Sequence, residues 1–178
     1  TATVNVDIGQ KNYELTRFRF SQANGNNDVY LKKLTLFNNG TATDDDISGY
    51  SLVDLVTGLE IGSVMRSTGR WLTFDMSAKP YLLKKGIQRD LAVRITVDSG
   101  SSRTVQLVLQ NDYDVEATSG ADAATGTGIL VGAIGTTDLS GPPIGDITTG
   151  SAGFNQATIA AGTLSLEKDT KSPAGLVG

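Results

Sequence analysis

Apolar residues in this chain alternate one on, one off, in short runs. Nowhere do they hold i, i+3, i+4 spacing through three helical turns. A period of two places alternate side chains on opposite faces of an extended strand, so the pattern predicts an all-β fold with almost no helix. Residues 3–8 read TVNVDI, with Val4, Val6 and Ile8 on one face. Residues 71–76 read WLTFDM, with Leu72, Phe74 and Met76 to be buried. In YELTRFRF, Phe18 and Phe20 share a face but Leu15 has the opposite parity, which predicts a bulge near Thr16. In VYLKKLTLF the parity changes between Leu31 and Leu34, and a second bulge is expected there.

Between these runs lie clusters of turn formers: SQANGNND, NNGTATDDD, Thr57-Gly58 and RSTGR. YSLVDLV and TGLEIGSVM read as two strands joined across Thr57-Gly58. A short helical turn is expected after Pro80, stopped by Gly86. Leu91, Val93, Ile95 and Val97 alternate strongly, as do Val105, Leu107 and Leu109, and the SGSS between them predicts a hairpin. Strands at this spacing indicate a β-sandwich of about seven to nine strands.

The division expected is a β-sandwich core over 1–117, a Gly/Thr/Ser-rich loop region with one short strand over 118–153, and a C-terminal strand and linker over 154–178. The short strand falls in ILVGAI, 129–134. In the last segment Thr163, Ser165 and Glu167 alternate with Leu164 and Leu166.

Composition narrows the chemistry. The 178 residues include no Cys and no His. Without His there is no His-based triad or general base and almost no transition-metal site. Without Cys there is no disulfide, thiolate zinc site or Cys nucleophile. A chain of this length buries roughly 70% of its unfolded surface and needs no covalent staple. Fifteen Lys and Arg against 19 Asp and Glu give a net charge of −4, and the basic stripe of a nucleic-acid binder is missing. No run of 18 apolar residues can span a membrane as a helix. With neither an initiator Met nor a signal peptide, the chain reads as a processed product or a part of something longer. The abundance of Gly, Thr, Ser, Asp and Ala is common in secreted surface proteins.

Several residues merit weighing as sites. Asp44 to Asp46 could offer oxygens to Ca²⁺, with Asn26, Asn27 and Asp28 or Asp112 and Asp114 assisting. The ligand spacing of a calcium loop is missing, so a solvated acidic loop is the better reading. Trp71 with Tyr50 or Tyr81 could form a flat platform for a sugar, against the plainer reading of a core or rim Trp. Asn39-Gly40-Thr41 is an N-glycosylation sequon. Paired carboxylates suitable for a glycosidase arise by chance among so many acids. A Lys–Asn isopeptide crosslink has no spacing to identify it. No nucleophile elbow occurs, so no catalytic residue is expected. No metal or cofactor is expected either.

Residues 13–63 carry Phe18 and Phe20, Asp28-Val29, Leu34 and Leu36, Asn39-Gly40, and Leu52 and Asp54 with Thr57-Gly58. This succession resembles Ig-like β-sandwich repeat modules of surface proteins in candidate-phylum bacteria, and YLLKKGIQRDLAVRITV resembles their long alternating strand. The resemblance covers roughly residues 15–115 and brings no catalytic residues. It implies an Ig-like antiparallel sandwich at the cell surface. It also implies that a strand like GTLSLEKDTKSPAGLVG opens such a domain, whereas here it stands at the other end.

Two arrangements follow. Thr163, Leu164, Ser165, Leu166 and Glu167 could be donated to a neighbouring module, either a separate subunit or the next repeat, beside Val4, Val6 and Ile8 as acceptor. Alternatively, residues 154–169 fold back as an ordinary last strand. The expected function is a non-enzymatic extracellular structural module whose partners are copies of itself joined head to tail into a filament or array. The other expectation is a carbohydrate-binding or adhesive module with a polysaccharide partner.

Overall fold

A computed structural model describes residues 4–21, 27–110, 114–119, 129–131 and 155–162. The alternating runs become β1 (Val4–Asp7), β2 (Tyr13–Ser21), β3 (Val29–Asn38), β4 (Ile47–Asp54), β5 (Glu60–Val64) and β6 (Trp71–Asp75). Then follow β7 (Tyr81–Leu83), β8 (Gln88–Val97), β9 (Thr104–Val105), β10 (Leu107–Val108), β11 (Val115–Ser119), β12 (Ile129–Val131) and β13 (Ala157–Ala160). All the elements among the described residues are strands. Six pieces of two to four residues bring their number to thirteen, above the seven to nine expected.

Three sheets result. One is antiparallel with the order β2-β8-β4-β5. In the second, β3 is central: β6 and β7 lie end to end along one edge, β10 and β11 along the other, and β12 beyond β11. These two sheets face each other across one core, to which Leu15, Phe18, Tyr50, Leu52, Leu91, Val93 and Ile95 contribute from one side, and Leu31, Leu34, Leu36, Leu72 and Phe74 from the other. Gly62 of β5 lies against Phe74 and Met76, where a Cβ would sit 3.4–3.6 Å from their side chains. The small third sheet has the order β1-β13-β9 and closes one end, with Val6, Val105, Ala157 and Ile159 reaching the same core.

The expected parity shifts are present. Glu14 opposes Arg94 and Thr16 opposes Val93, so Leu15 is the extra residue of β2, and it is buried. Along β3, Leu31 opposes Ala117 while Lys33 opposes Glu116, leaving Lys32 as the extra residue. Leu72, Phe74 and Met76 are buried as the alternation requires.

Other expectations are corrected. Residues 88–97 and 103–110 do not form a hairpin. β8 pairs with β2 and β4, whereas β9 pairs with β13 and β10 with β3. The chain crosses between sheets at Ser99–Arg103, because both edges of β8 are already taken by longer strands. The residues after Pro80 extend as β7 along β3 and form no helical turn. The two facing sheets are antiparallel throughout, but the third sheet departs from the expectation, since β1 and β13 run parallel, with Val4 opposite Ala157 and Asp7 opposite Ala160. The boundary expected at 117 falls inside β11. Residues 157–160 of the C-terminal segment belong to the same core as the first strands, with Ala157 and Ile159 both buried.

Candidate functional site

Val4 and Val6 lie two apart in β1 and Ile8 in the turn just after it, and the three are buried unequally. Val6 is in the core, Ile8 is partly buried, and Val4 is 48% exposed. β13 occupies one edge of β1, and Ile8 N–H donates to the Ala160 carbonyl at 3.0 Å just past the paired residues. Among the described residues no strand lies on the other edge of β1. Asn5 and Asp7 are exposed there, and Asp7 N–H donates to Gln10 Oε1 at 3.2 Å. The strand is anchored behind by a turn at Gly9, whose φ of 86° suits glycine. Gly9 N–H donates to the Val97 carbonyl, and Val97 N–H to the Gln10 carbonyl. Thr163, Leu164, Ser165, Leu166 and Glu167 lie outside the described residues, which end at the exposed pair Ala161 and Gly162. The acceptor residues thus already hold one strand of their own chain.

The acidic loop is neither a cation cage nor merely solvated. Asp44 accepts from Ser67 Oγ at 2.6 Å, Gly69 N–H at 2.7 Å and Arg70 N–H at 3.0 Å. The Ser67 hydroxyl foremost, then the Arg70 and Gly69 amides, hold its carboxyl below the usual carboxylate range against burial. This clasp forms the tight turn Thr68–Trp71, in which Gly69 and Arg70 have φ of 57° and 73°. Asp45 pairs with Arg66 at the surface. Asp46 is buried and accepts from Thr43 N–H and Oγ1, Ser99 Oγ and the Arg103 guanidinium. Burial alone would raise its pKa, but these donors hold it at about 2. Its backbone carbonyl accepts from Asp98 and Ser99 N–H. Asp46 therefore clamps the crossing that carries the chain from β8 to β9. Each of the three carboxylates already faces donors, and among the described residues no cluster of acidic side chains is gathered to hold a metal ion.

The sequon belongs to a second polar seam. Asn38 is buried, donates to the Ala42 carbonyl at 2.9 Å and accepts from Gly40 and Gln106 N–H. Asn39 Nδ2 donates to Gln106 Oε1 at 3.1 Å, and Thr41 Oγ1 accepts from Thr104 N–H at 2.9 Å. A Cβ on Gly40 would run into the Thr104 carbonyl and lie 2.9 Å from the Val105 Cα. The seam fastens β9 and β10 to the end of β3.

Trp71 forms no flat platform with Tyr50 or Tyr81. Tyr50 is buried in the core, where burial pushes its pKa to about 12. Tyr81 opposes Leu31 on β3 while Trp71 opposes Phe37, six residues further along. Burial, then the hydrogen bond to Asp54 at 2.9 Å, pushes the Tyr81 hydroxyl to about 12. Asp54 also accepts from Val56 and Thr57 N–H, capping the β4–β5 turn and tying it to the opposite sheet. Trp71 is instead a rim residue, 39% exposed, packed on Phe37 with centroids 4.9 Å apart, and the Arg70 guanidinium lies over the same Phe37 ring.

Lys33 lies between Asp75 at 4.0 Å and Glu116 at 3.6 Å, across three neighbouring strands. The Lys and Asp side chains are well exposed, as in an ordinary surface ion pair.

Sequence reasoning singled out β1 and the acidic run but missed Arg103, Gln106 and the Asp54–Tyr81 bond. Asp54 four residues before Gly58 was a usable turn signal. Asp46–Arg103 spans 57 residues and leaves no local trace. No family model, no curated protein and no solved structure matches the chain.

Proposed function

We propose that this chain is a non-enzymatic, extracellular structural module that joins copies of itself head to tail into a surface filament or array. The observation carrying this reading is β1, a strand reaching the core, paired on one edge by its own β13 and bare on the other among the described residues. An edge of this kind is a template for another strand. Thr163–Glu167 follows β13 and has the alternation a partner strand needs, so that Leu164 and Leu166 would cover Val4 in a neighbour. Such a contact is asymmetric and does not close on itself, so it propagates as a filament. The bare edge is short and carries Asn5 and Asp7, which would keep unmatched strands away. The buried acids support the non-enzymatic part, because Asp46 and Asp54 are committed to structural donors.

The Ig-like reading draws support from β3–β6 and β4–β8, which correspond to the second–fifth and third–sixth strand pairs of an Ig sandwich. The first and seventh strands, β2 and β10/β11, sit on the opposite sheets from their Ig places.

The test is truncation after Gly162. The full chain, concentrated and imaged by negative-stain microscopy, is expected to form end-to-end assemblies, and the truncated chain to stay monomeric. Equal assembly by both would end the strand-donation reading. A carbohydrate-binding or adhesive role is the second reading, favoured by the exposed Trp71 beside Arg70. It expects retention on insoluble polysaccharide that Trp71→Ala abolishes, with assembly unchanged.

A further inference from the structure

The first and last described strands are neighbours, and their relative direction has a mechanical consequence. β1 and β13 run parallel, so the N-terminal end of β1 lies beside the N-terminal end of β13. A pull on Val4 from the N-terminal side and on Gly162 from the C-terminal side therefore acts at opposite ends of the pair. The two strands are then loaded in shear. Every hydrogen bond between them, including Ile8 N–H to the Ala160 carbonyl, must give way together. Had the strands been antiparallel, the same pull would open one bond at a time.

The anchorage on each side matches this loading. β13 is the middle strand of its sheet, held on the far side by β9, with Thr158 opposite Thr104 and Ala157 opposite Val105. Ile159 N–H donates to the Arg103 carbonyl at 2.8 Å, and Ser102 N–H to the Ile159 carbonyl at 2.8 Å. Ala157 and Ile159 are buried in the core. β9 is held in turn by the Asp46–Arg103 contact on one side and by the Asn38–Gln106 seam on the other. β1 is fixed by Val6 in the core and by the two bonds between Gly9–Gln10 and Val97. Load thus enters a three-stranded patch riveted to both large sheets, and forced unfolding must break that patch before the long ladders are touched.

We infer that β1–β13 is a shear clamp, making the module a load-bearing link that resists tension applied at Val4 and Gly162. Its use in the organism rests on the head-to-tail reading, because only a chain of linked modules would carry tension along this axis. The clamp itself does not depend on assembly.

The test is single-molecule force spectroscopy on the full chain, in which the absence of native Cys makes introduced thiols unique attachment points. One variant carries Val4→Cys and Gly162→Cys and pulls β1 against β13 in shear. The other carries Val4→Cys and Asn155→Cys and peels the same pair from one end. All three positions are exposed, and a Cβ at Gly162 meets no atom within 4 Å. The shear geometry is expected to unfold at a severalfold higher force than the peeling geometry at the same loading rate. Equal forces, or a stronger peeling geometry, would overturn the clamp. A force difference in a chain that never assembles would uphold the clamp and count against the filament reading alone.

Discussion

The four-stranded sheet and the three-stranded sheet are built from the same chain by different means. The first has long ladders: β2 runs nine residues and β8 ten, and β8 is flanked on both edges. Its inward face is apolar, with Leu91, Val93, Ile95 and Val97 almost fully buried. The second has strands of four, four and two residues, too short to stand alone. It is held by side-chain contacts at its margins, Asp46–Arg103 and Asn38–Gln106, and by single apolar residues such as Val6 and Ile159. Bulk stability resides in the long sheet. The small sheet joins the first and last described strands and, among the described residues, leaves one edge of β1 open.

That division can be broken in order of size. Leu52→Ala empties a fully buried site in the long sheet and is expected to cost about 2–5 kcal/mol in urea unfolding, without splitting the transition. Gly40→Ala forces a methyl into the Thr104 backbone at the small sheet. It is expected to cost about 1–3 kcal/mol, with amide exchange rising first in β9 and β13 while β8 stays protected.

Asp46→Asn weakens the charge-assisted bonds at the crossing and is expected to cost about 1.5–3 kcal/mol at neutral pH. Its pH dependence has a definite sign. The folded pKa of about 2 lies below the usual carboxylate value near ~3.9. The contribution is therefore complete above the unfolded value and is lost as pH falls from about 4 toward 2. The gap in urea midpoint between the native chain and Asp46→Asn should narrow across that window. A gap that holds constant to pH 2 would contradict the assignment. Arg19→Ala removes an exposed pair with Asp90 on the outer face of the long sheet, and the midpoint should not move measurably.

The contrast also explains what could be read beforehand. Strand faces were legible because alternation is local: Leu15 out of step with Phe18 foretold the bulge, and Leu72, Phe74 and Met76 went inward. Partners were not. Val105, Leu107 and Leu109 alternate well enough for a hairpin with β8, yet β9 and β10 pair with β13 and β3, and between them Gln106 N–H donates to the buried Asn38 side chain. β13 reads ATIA, four small or medium residues that declare neither a strand nor a direction. For the candidate site, the alternation of Val4, Val6 and Ile8 was legible, but the strand already lying beside β1 was not. Its pairing joins residues about 150 positions apart in the sequence.

The account stands or falls on whether residues 163–167 of one molecule lie along β1 of another. In sequence Ser165 alternates with Leu164 and Leu166 as Asn5 does with Val4 and Val6, so thiols there would meet if the strands pair in that register. A chain with Ser165→Cys is mixed under mild oxidation with a mass-tagged chain carrying Asn5→Cys, beside a control carrying Ser63→Cys on β5. The account predicts a disulfide-linked heterodimer with the Asn5→Cys chain well above the control. Heterodimer no more abundant than with Ser63→Cys would contradict it.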